Sequence, residues 1–531
     1  MIKINFYLII IPIISLIGGL WQGQYTYDPY HWGFVFSTAL DILEGKTPFK
    51  EIFLQYGITM PLIHAMTLII FKKNILSLML ITCLFYSSAI YIIGIVTEKL
   101  TLNKFYSFFA TFIIFIIYPW PTQPWHNCIT FFFTTLFILM FLKEKKIYTI
   151  IAGLALATAY LTNTAIWNFI IFFFIIIFSG VFFIYENKIK ENFKKKSLIL
   201  LYSFIIILLL FLIYLISNNL LNIWVVYQKL PFIYNEAIDQ VSLYNRVISY
   251  LHFLTIYPIK NFINEPQFIL FSIFFFANVF FIIKYCILVY KKKYLEININ
   301  FFIINILIFS LNFQAQLLNL DILATTISLG IIPLMVFISK LKSVDSRIVI
   351  NFIIIFISIY SLVFSFDLSN SKHSGQRYVH LKDINKNNIS YNQKQIKYFK
   401  NQKWSKNNWE TINTFLKIKK KVKKNCNIDY GANLTSNSLI YALLEYKKIQ
   451  IIPFFFKETN KVINKHFEPN LIKKIQEQIH NSNILIVIFE NNDKLLNLEN
   501  YAAPEEILIK KKNKTLIEVM YVYYPTKCKS I

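Results

Sequence analysis

Charge is scarce in this sequence. Only 15% of the 531 residues are charged, whereas 56% are hydrophobic and the mean hydropathy is +0.51. A soluble globular protein carries about 25% charged residues and does not gather its apolar residues into long blocks. The composition therefore excludes a soluble globular protein and predicts a polytopic membrane protein.

Arginine and cysteine are also rare. Arginine occurs only at Arg246, Arg347 and Arg377 in a lysine-rich chain, a bias that suggests an AT-rich coding sequence. The five cysteines show no C-x-x-C spacing, so no zinc, redox or other metal site is predicted from them. Near the N-terminus, LIGGLWQG lacks a small-x-small cleavage pattern, and the first apolar segment is expected to remain as an anchor.

Apolar runs that can cross a bilayer predict about eleven transmembrane helices. The apolar stretch 58–71 is shorter, contains a proline and a histidine, and ends in Lys72-Lys73, which favours a helix lying at the membrane interface. The approximate spans are 4–20, 75–96, 105–118, 127–142, 147–162, 166–185, 198–216, 267–290, 299–316, 322–340 and 348–366.

The lysines predict the orientation of these spans. With the N-terminus inside, short loops such as 143–146 are rich in lysine and face the cytoplasm, whereas the opposite loop 312–321 has no lysine or arginine. The two long loops, 21–74 and 217–266, and the region after the last span then lie outside. This topology accounts for most of the net charge of +26, so nucleic-acid binding is not expected. We expect a multi-pass membrane protein with these regions on its outer side.

Every tryptophan falls on the predicted outer side. Two explanations stay open: stacking of aromatic faces on sugar rings, or the aromatic belt of membrane proteins. No charged residue lies near the centre of a span, which argues against an ion-coupled transporter. The aromatic residues concerned are Trp21, Trp32, Trp120, Trp125, Trp167, Trp224, Trp404 and Trp409, accompanied by His31, His64, His126 and His252.

The chain changes composition after the membrane domain, 1–366. Residues 367–407 are predicted to form a linker, and strands and helices alternate over 408–531, which favours a small α/β domain outside the membrane. The apolar strand NILIVIF is expected to be covered on both faces. Cys426 and Cys528 form a disulfide if the compartment is oxidising, although spacing alone does not establish the bond.

A polar island, YDPYHWGFVFSTALDILEGKTPF, follows the first span at 27–49. Asp28 followed by Pro29 is a strong helix start, and Gly45 is a plausible stop. The carboxylate of Asp28 has two interpretations that stay open. It serves only as a helix cap, or it also acts as a general base for an acceptor hydroxyl at the outer membrane surface.

Two further acids lie near the end of the same predicted helix. Asp41 and Glu44 are one turn apart, and their simplest interpretation is a solvent-facing pair. A divalent cation is the alternative and the one cofactor considered, but two carboxylates without a third ligand are weak evidence for it.

Three short stretches resemble a known family. Asp28, His31 and Gly33 form D-x-x-H-x-G, ILEGKTPFKEIFLQYG follows at 42–57, and GLALATAYLTN ends at Asn163. With the predicted architecture, these stretches are similar to the GT-C membrane glycosyltransferases, which include aminoarabinose and protein mannosyl transferases. The likeness is to the bacterial branch that acts in surface-polysaccharide assembly. The sequence departs from the family at Asn163, where a basic residue is common.

The resemblance implies a site and a reaction. Asp28 takes the place of the family's catalytic aspartate, and the donor is a sugar on a polyprenyl phosphate. A leaving phosphate needs positive groups, for which the candidates are Arg246, Arg377 and His126. Candidates for sugar binding are Tyr27, His31, Trp32, Tyr56 and Trp125.

The sequence thus favours an inverting glycosyltransferase at the outer face of the membrane, with a lipid-linked or surface glycan as acceptor. Its partners would be the donor, the acceptor and membrane lipids. A polysaccharide polymerase or ligase is the alternative within enzymes, and a lipid or solute transporter is the alternative without chemistry.

Overall fold

A computed structural model gives the structure of most of the chain. The predicted span 166–185 and most of the predicted linker fall outside the described residues. The description runs from Phe6 to Thr526 except for residues 26–27, 29, 164–186, 229–242, 262–266, 294–295, 319–327, 368–387, 390–397, 400–401, 427, 436, 453–469, 481–483, 490–495 and 511–516.

Among the described residues, most of those before position 368 are helical. Residues 221–228 are also helical, in addition to the helices named next. The helices are α1 (Phe6–Tyr25), α2 (His31–Leu43), α3 (Thr59–Ile70), α4 (Leu76–Thr101), α5 (Lys104–Ile117), α6 (His126–Phe141), α7 (Lys146–Thr162), α8 (Asn187–Ser217), α9 (Leu243–Lys260), α10 (Gln267–Tyr290), α11 (Ile299–Leu318), α12 (Ile331–Ser339) and α13 (Val344–Asp367).

Within the described part of the chain, four helices are long and apolar enough to cross a membrane. They are α1, α4, the Glu191–Ser217 part of α8 and the Phe268–Tyr290 part of α10. Apolar side chains such as Ile213 and Phe352 are 61% and 69% exposed, which is typical of a surface that contacts lipid. The protein is therefore a helical protein with membrane-length segments, and the count of about eleven spans stays a prediction.

Local sequence explains several of these helices. The Asn103 side chain accepts a hydrogen bond from the backbone N–H of Phe105 at 2.8 Å and so caps α5. In α7, a Cβ on Gly153 would lie 2.6 Å from the backbone oxygen of Leu200, so the glycine permits close packing on α8. Packing therefore accounts for the glycine in GLALATAYLTN.

The chain forms two compact units. Unit 1 comprises Met1–Leu20, Leu80–Leu221 and Val241–His380, and contains most of the apolar helices. Unit 2 comprises Trp21–Met79, Asn222–Gln240 and Leu381–Ile531. The domain boundaries predicted from the sequence follow chain order, whereas unit 2 combines the first long loop, part of the second and the C-terminal region.

Unit 2 contains a mixed five-stranded sheet in the order β4-β3-β5-β7-β6. Strand β3 is parallel to β4 and β5, whereas β7 is antiparallel to β5 and β6. A separate antiparallel pair, β1 and β2, precedes the sheet. The strands are β1 (Asn388–Ile389), β2 (Trp404–Ser405), β3 (Tyr430–Leu434), β4 (Lys447–Lys448), β5 (Ile484–Phe489), β6 (Glu505–Lys510) and β7 (Ile517–Tyr523).

Strand β5 lies at the centre of this sheet. Its residues Ile484 to Val487 are all buried, on both faces, as the apolar sequence predicts. Helix α16 (Leu471–His480) packs Leu471, Ile475 and Ile479 into the same core. Helices α14 (Lys406–Asn425) and α15 (Ile440–Leu444) complete the C-terminal elements.

Contacts between aromatic side chains join the three stretches of unit 2. The ring of Tyr227 lies 5.1 Å from that of Phe49 and 5.6 Å from that of Phe53, which joins the second long loop to the first. The ring of Phe36 on α2 packs against Tyr398, with centroids 5.4 Å apart. These contacts place α2 inside a packed core of unit 2.

Cys426, at the end of α14, is disulfide-bonded. Its predicted partner, Cys528, lies outside the described residues. The other three cysteines, Cys83, Cys128 and Cys286, are free thiols.

Candidate active site

Asp28 caps α2 with its side chain. Its Oδ1 accepts the backbone N–H groups of Tyr30 at 3.1 Å and His31 at 2.9 Å. These donors belong to the start of the helix and have no partner within it. The predicted capping role is therefore confirmed, with the helix beginning at His31 and ending just before Gly45, whose φ of 82° suits a stop.

The second carboxylate oxygen of Asp28 contacts a histidine. Oδ2 lies 2.6 Å from Nδ1 of His31. An ionised carboxylate only accepts hydrogen bonds, so the imidazole donates through Nδ1–H and its Nε2 is the basic nitrogen. The Tyr30 ring contacts the same imidazole edge-on at 4.7 Å. The His31 side chain is 31% exposed and that of Asp28 12%, so the imidazole is the more accessible of the two groups.

Gly33 brings α2 against the loop that follows β3. A Cβ on Gly33 would lie 2.5 Å from the backbone nitrogen of Leu439 and 2.7 Å from the carbonyl carbon of Ser438. Only glycine allows this approach without displacing the loop. The glycine of D-x-x-H-x-G, two residues after His31, is thus explained by helix packing.

The loop itself is fixed by a buried polar network. The Asn433 side chain accepts from the Thr435 hydroxyl at 2.7 Å and donates to the Asn437 carbonyl at 2.9 Å. Gln450 bonds both backbone groups of Asn433, at 3.1 and 2.8 Å. Hydrogen-bonded polar groups in a core hold one conformation because breaking any bond leaves a buried group unsatisfied. The loop therefore presents a rigid surface to α2.

The structure contradicts the prediction that Asp41 faces solvent. It is only 3% exposed, so it does not form a solvent-facing pair with Glu44. Its Oδ1 lies 2.6 Å from Nζ of Lys46, and its Oδ2 pairs with Nζ of Lys448 on β4. Burial lowers the pKa of the Lys448 ammonium, and the Asp41 charge opposes that effect.

The ion pairs of Asp41 also affect whether Asp41 and Glu44 could bind a divalent cation. Two ammonium groups already neutralise the Asp41 carboxylate, whereas Glu44 is exposed and lies 3.6 Å from Lys46. A cation needs several free oxygen ligands. Across the described residues, no group of three or more His, Cys, Asp or Glu side chains could hold a metal ion.

The other predicted site residues are buried, half-buried or outside the description. Trp32 is buried in unit 2, and Trp125 and His126 are buried in unit 1 with their rings 5.3 Å apart. Since a sugar or phosphate must reach a side chain from solvent, this burial does not favour the ligand contacts predicted for these three. Tyr56 is half-buried in unit 2.

Three predicted residues cannot be placed in the site. Tyr27 and Arg377 lie outside the described residues. Arg246 lies on α9, but its side chain is outside the description. The predicted phosphate-binding role of the two arginines therefore stays a prediction.

Lys448 is the main feature that the sequence did not predict. It lies in the stretch LEYKKIQ of a lysine-rich chain. The sequence pattern there does not indicate which lysine is buried and which is exposed to solvent. Its burial follows from the strand pairing of β4 with β3, which the local pattern does not specify.

Neither a protein-family model nor a curated protein matches this sequence.

Proposed function

We propose that this protein is an integral membrane glycosyltransferase that moves a sugar from a polyprenyl-phosphate carrier to a lipid-linked or surface glycan acceptor. The reaction takes place at the outer face of a bacterial inner membrane and inverts the anomeric centre. The acceptor hydroxyl loses its proton to the base formed by Asp28 and His31 while the carrier phosphate departs. Positive side chains stabilise that phosphate.

The Asp28–His31 pair carries this proposal. A carboxylate 2.6 Å from an imidazole nitrogen is an arrangement that supports general-base chemistry. It stands at the start of a helix fixed by a glycine contact and a buried ion pair, so the two groups are held in one geometry. A helix cap alone needs the contacts of Oδ1 but not the imidazole contact of Oδ2.

The composition of unit 2 supports the outer location. Its three stretches are separated along the chain by membrane-length helices, yet they pack into one compact unit. Stretches that pack together outside the bilayer must lie on the same side of it. They are the stretches that the lysine distribution assigns to the outside. The disulfide at Cys426 also suits an oxidising compartment.

Transfer of labelled sugars tests the proposal. Purified protein in lipid nanodiscs is given polyprenyl-phosphate sugars and a glycolipid extract, and radioactivity in the acceptor is measured. We expect wild-type protein to transfer one of the sugars, and Asp28→Asn, which retains a capping side chain, to lose about 10²–10⁴-fold in rate. Glu44→Gln, at the exposed end of the same helix, is the matched control and should retain the wild-type rate.

Two results would contradict the proposal. One is the absence of transfer by the wild-type protein with every donor in a panel of hexose, pentose and aminosugar carriers. The other is an Asp28→Asn variant that is folded and transfers at the wild-type rate. Polymerised products in place of a single addition would identify a polymerase.

A further inference from the structure

The oxygens of Asp28 are already engaged in the folded protein. Oδ1 accepts two backbone N–H groups, and Oδ2 accepts Nδ1–H of His31. A substrate hydroxyl that approached Asp28 directly would have to displace the imidazole or compete with the helix start.

His31 is better placed to accept a proton. Its side chain is 31% exposed, and its ring is held by Asp28 on one side and by the edge of Tyr30 on the other. With Nδ1 donating to the carboxylate, the acceptor nitrogen Nε2 lies on the other side of the ring. The carboxylate fixes the tautomer, with the proton on Nδ1.

We propose that His31 is the general base of the reaction and that Asp28 is its positioning residue. This inference rests on the proposed glycosyltransferase function and assigns the proton to a specific atom. It replaces the role predicted from the sequence, in which Asp28 takes the proton itself and His31 contacts the sugar.

The acceptor O–H bond breaks and its proton passes to Nε2 of His31, giving an imidazolium paired with Asp28. The electron pair left on the acceptor oxygen forms a bond to the anomeric carbon. The bond from that carbon to the carrier's phosphate oxygen breaks, and its electron pair leaves with the polyprenyl phosphate. The imidazolium then releases its proton to solvent.

Four proteins distinguish the two assignments in the nanodisc assay: wild type, His31→Ala, Asp28→Asn and the double variant. We expect His31→Ala to lose about 10²–10⁴-fold in transfer rate. The double variant should lose no more than His31→Ala alone, because residues that act as one unit give strongly non-additive losses. His31→Gln, which keeps a polar side chain of similar length, should be equally impaired.

Added imidazole separates a catalytic from a structural loss. Because His31 is partly exposed, its removal leaves a site that free imidazole can reach, and we expect imidazole to raise the rate of His31→Ala. His480→Ala, which removes an exposed histidine at the end of α16, should keep the wild-type rate and show no response to imidazole. Thermal unfolding of each variant verifies that it is folded.

The outcomes are distinct. If wild-type protein transfers sugar and His31→Ala does so at the same rate, the His31 assignment is overturned and the glycosyltransferase function stands. Losses that multiply in the double variant, with no rescue by imidazole, also overturn the assignment. If wild-type protein transfers no sugar, the proposed function itself fails and this inference falls with it.

Discussion

At the scale of single residues, His64 illustrates the cost of a polar group in an apolar helix. It lies on α3 and is completely buried. Within the described part of the chain, neither of its ring nitrogens has a hydrogen-bond partner. Burial lowers the pKa of this imidazole from 6.5 to about 3, because a charge would lack solvent there. The folded protein therefore holds His64 neutral, whereas the unfolded chain takes up a proton near pH 6.5.

We expect His64→Phe to remove an acid-dependent loss of stability. Protons bind the unfolded state preferentially between pH 6.5 and about 3, so the stability of the wild type falls as the pH decreases through that range. At pH 5 the difference corresponds to about 2 kcal/mol that the variant does not lose. Unfolding by denaturant in detergent at pH 7.5 and pH 5 measures it. An identical pH dependence in both proteins would contradict the assignment, and His480→Gln is the exposed control.

At the scale of elements, α2 is fixed at three points along its length. Asp28 caps its start, Gly33 packs on the loop at 438–439, and Asp41 near its end pairs with Lys448. The first two contacts lie about one turn apart and the third lies at the far end, so the helix resists both tilting and sliding. These contacts therefore also fix the position of the Asp28–His31 pair at the start of the helix.

We expect the Asp41–Lys448 pair to dominate the attachment of α2. Lys448→Met removes one partner of a buried pair and should cost about 3–5 kcal/mol of unfolding free energy. Adding Asp41→Leu should recover much of that cost, because it also removes the buried carboxylate, which Lys46 alone then pairs. Lys46→Met is the matched control: its ammonium is 24% exposed, and we expect a cost of about 1 kcal/mol or less. Equal costs for the two lysine variants would show that burial is not decisive here.

The sequence predicted elements better than it predicted their contacts. Capping signals located α2, and an apolar run located the central strand β5, because these signals act over a few neighbouring residues. Strand β6 was not predicted, since its pattern begins with Glu505 and Glu506 and runs into a lysine-rich stretch. In the site, Asp28 and its cap were predicted from local rules. The burial of Asp41 was not, because its partner Lys448 lies about four hundred residues away in the chain.

At the scale of the whole molecule, the predicted sidedness can be compared with the way the chain packs. The lysine distribution assigns the long loops and the C-terminal region to one side of the membrane. The packing of the chain gathers the same stretches into unit 2 without reference to charge. An odd number of spans between any two of these stretches would place them on opposite sides and prevent them from packing together. The composition of unit 2 is thus compatible with the topology inferred from charge, which stays a prediction.

Labelling with a membrane-impermeant maleimide in intact cells tests this topology. Single cysteines are introduced at exposed lysines in a Cys286→Ser background, since the free thiols Cys83 and Cys128 are buried. We expect Lys50→Cys in the first long loop and Lys473→Cys on α16 to react in intact cells, because both belong to unit 2. Lys145→Cys and Lys291→Cys, in lysine-rich loops of unit 1, should react only after the membrane is permeabilised. Reaction of Lys50→Cys and Lys473→Cys on opposite sides would refute the topology and remove the outer location from the proposed function.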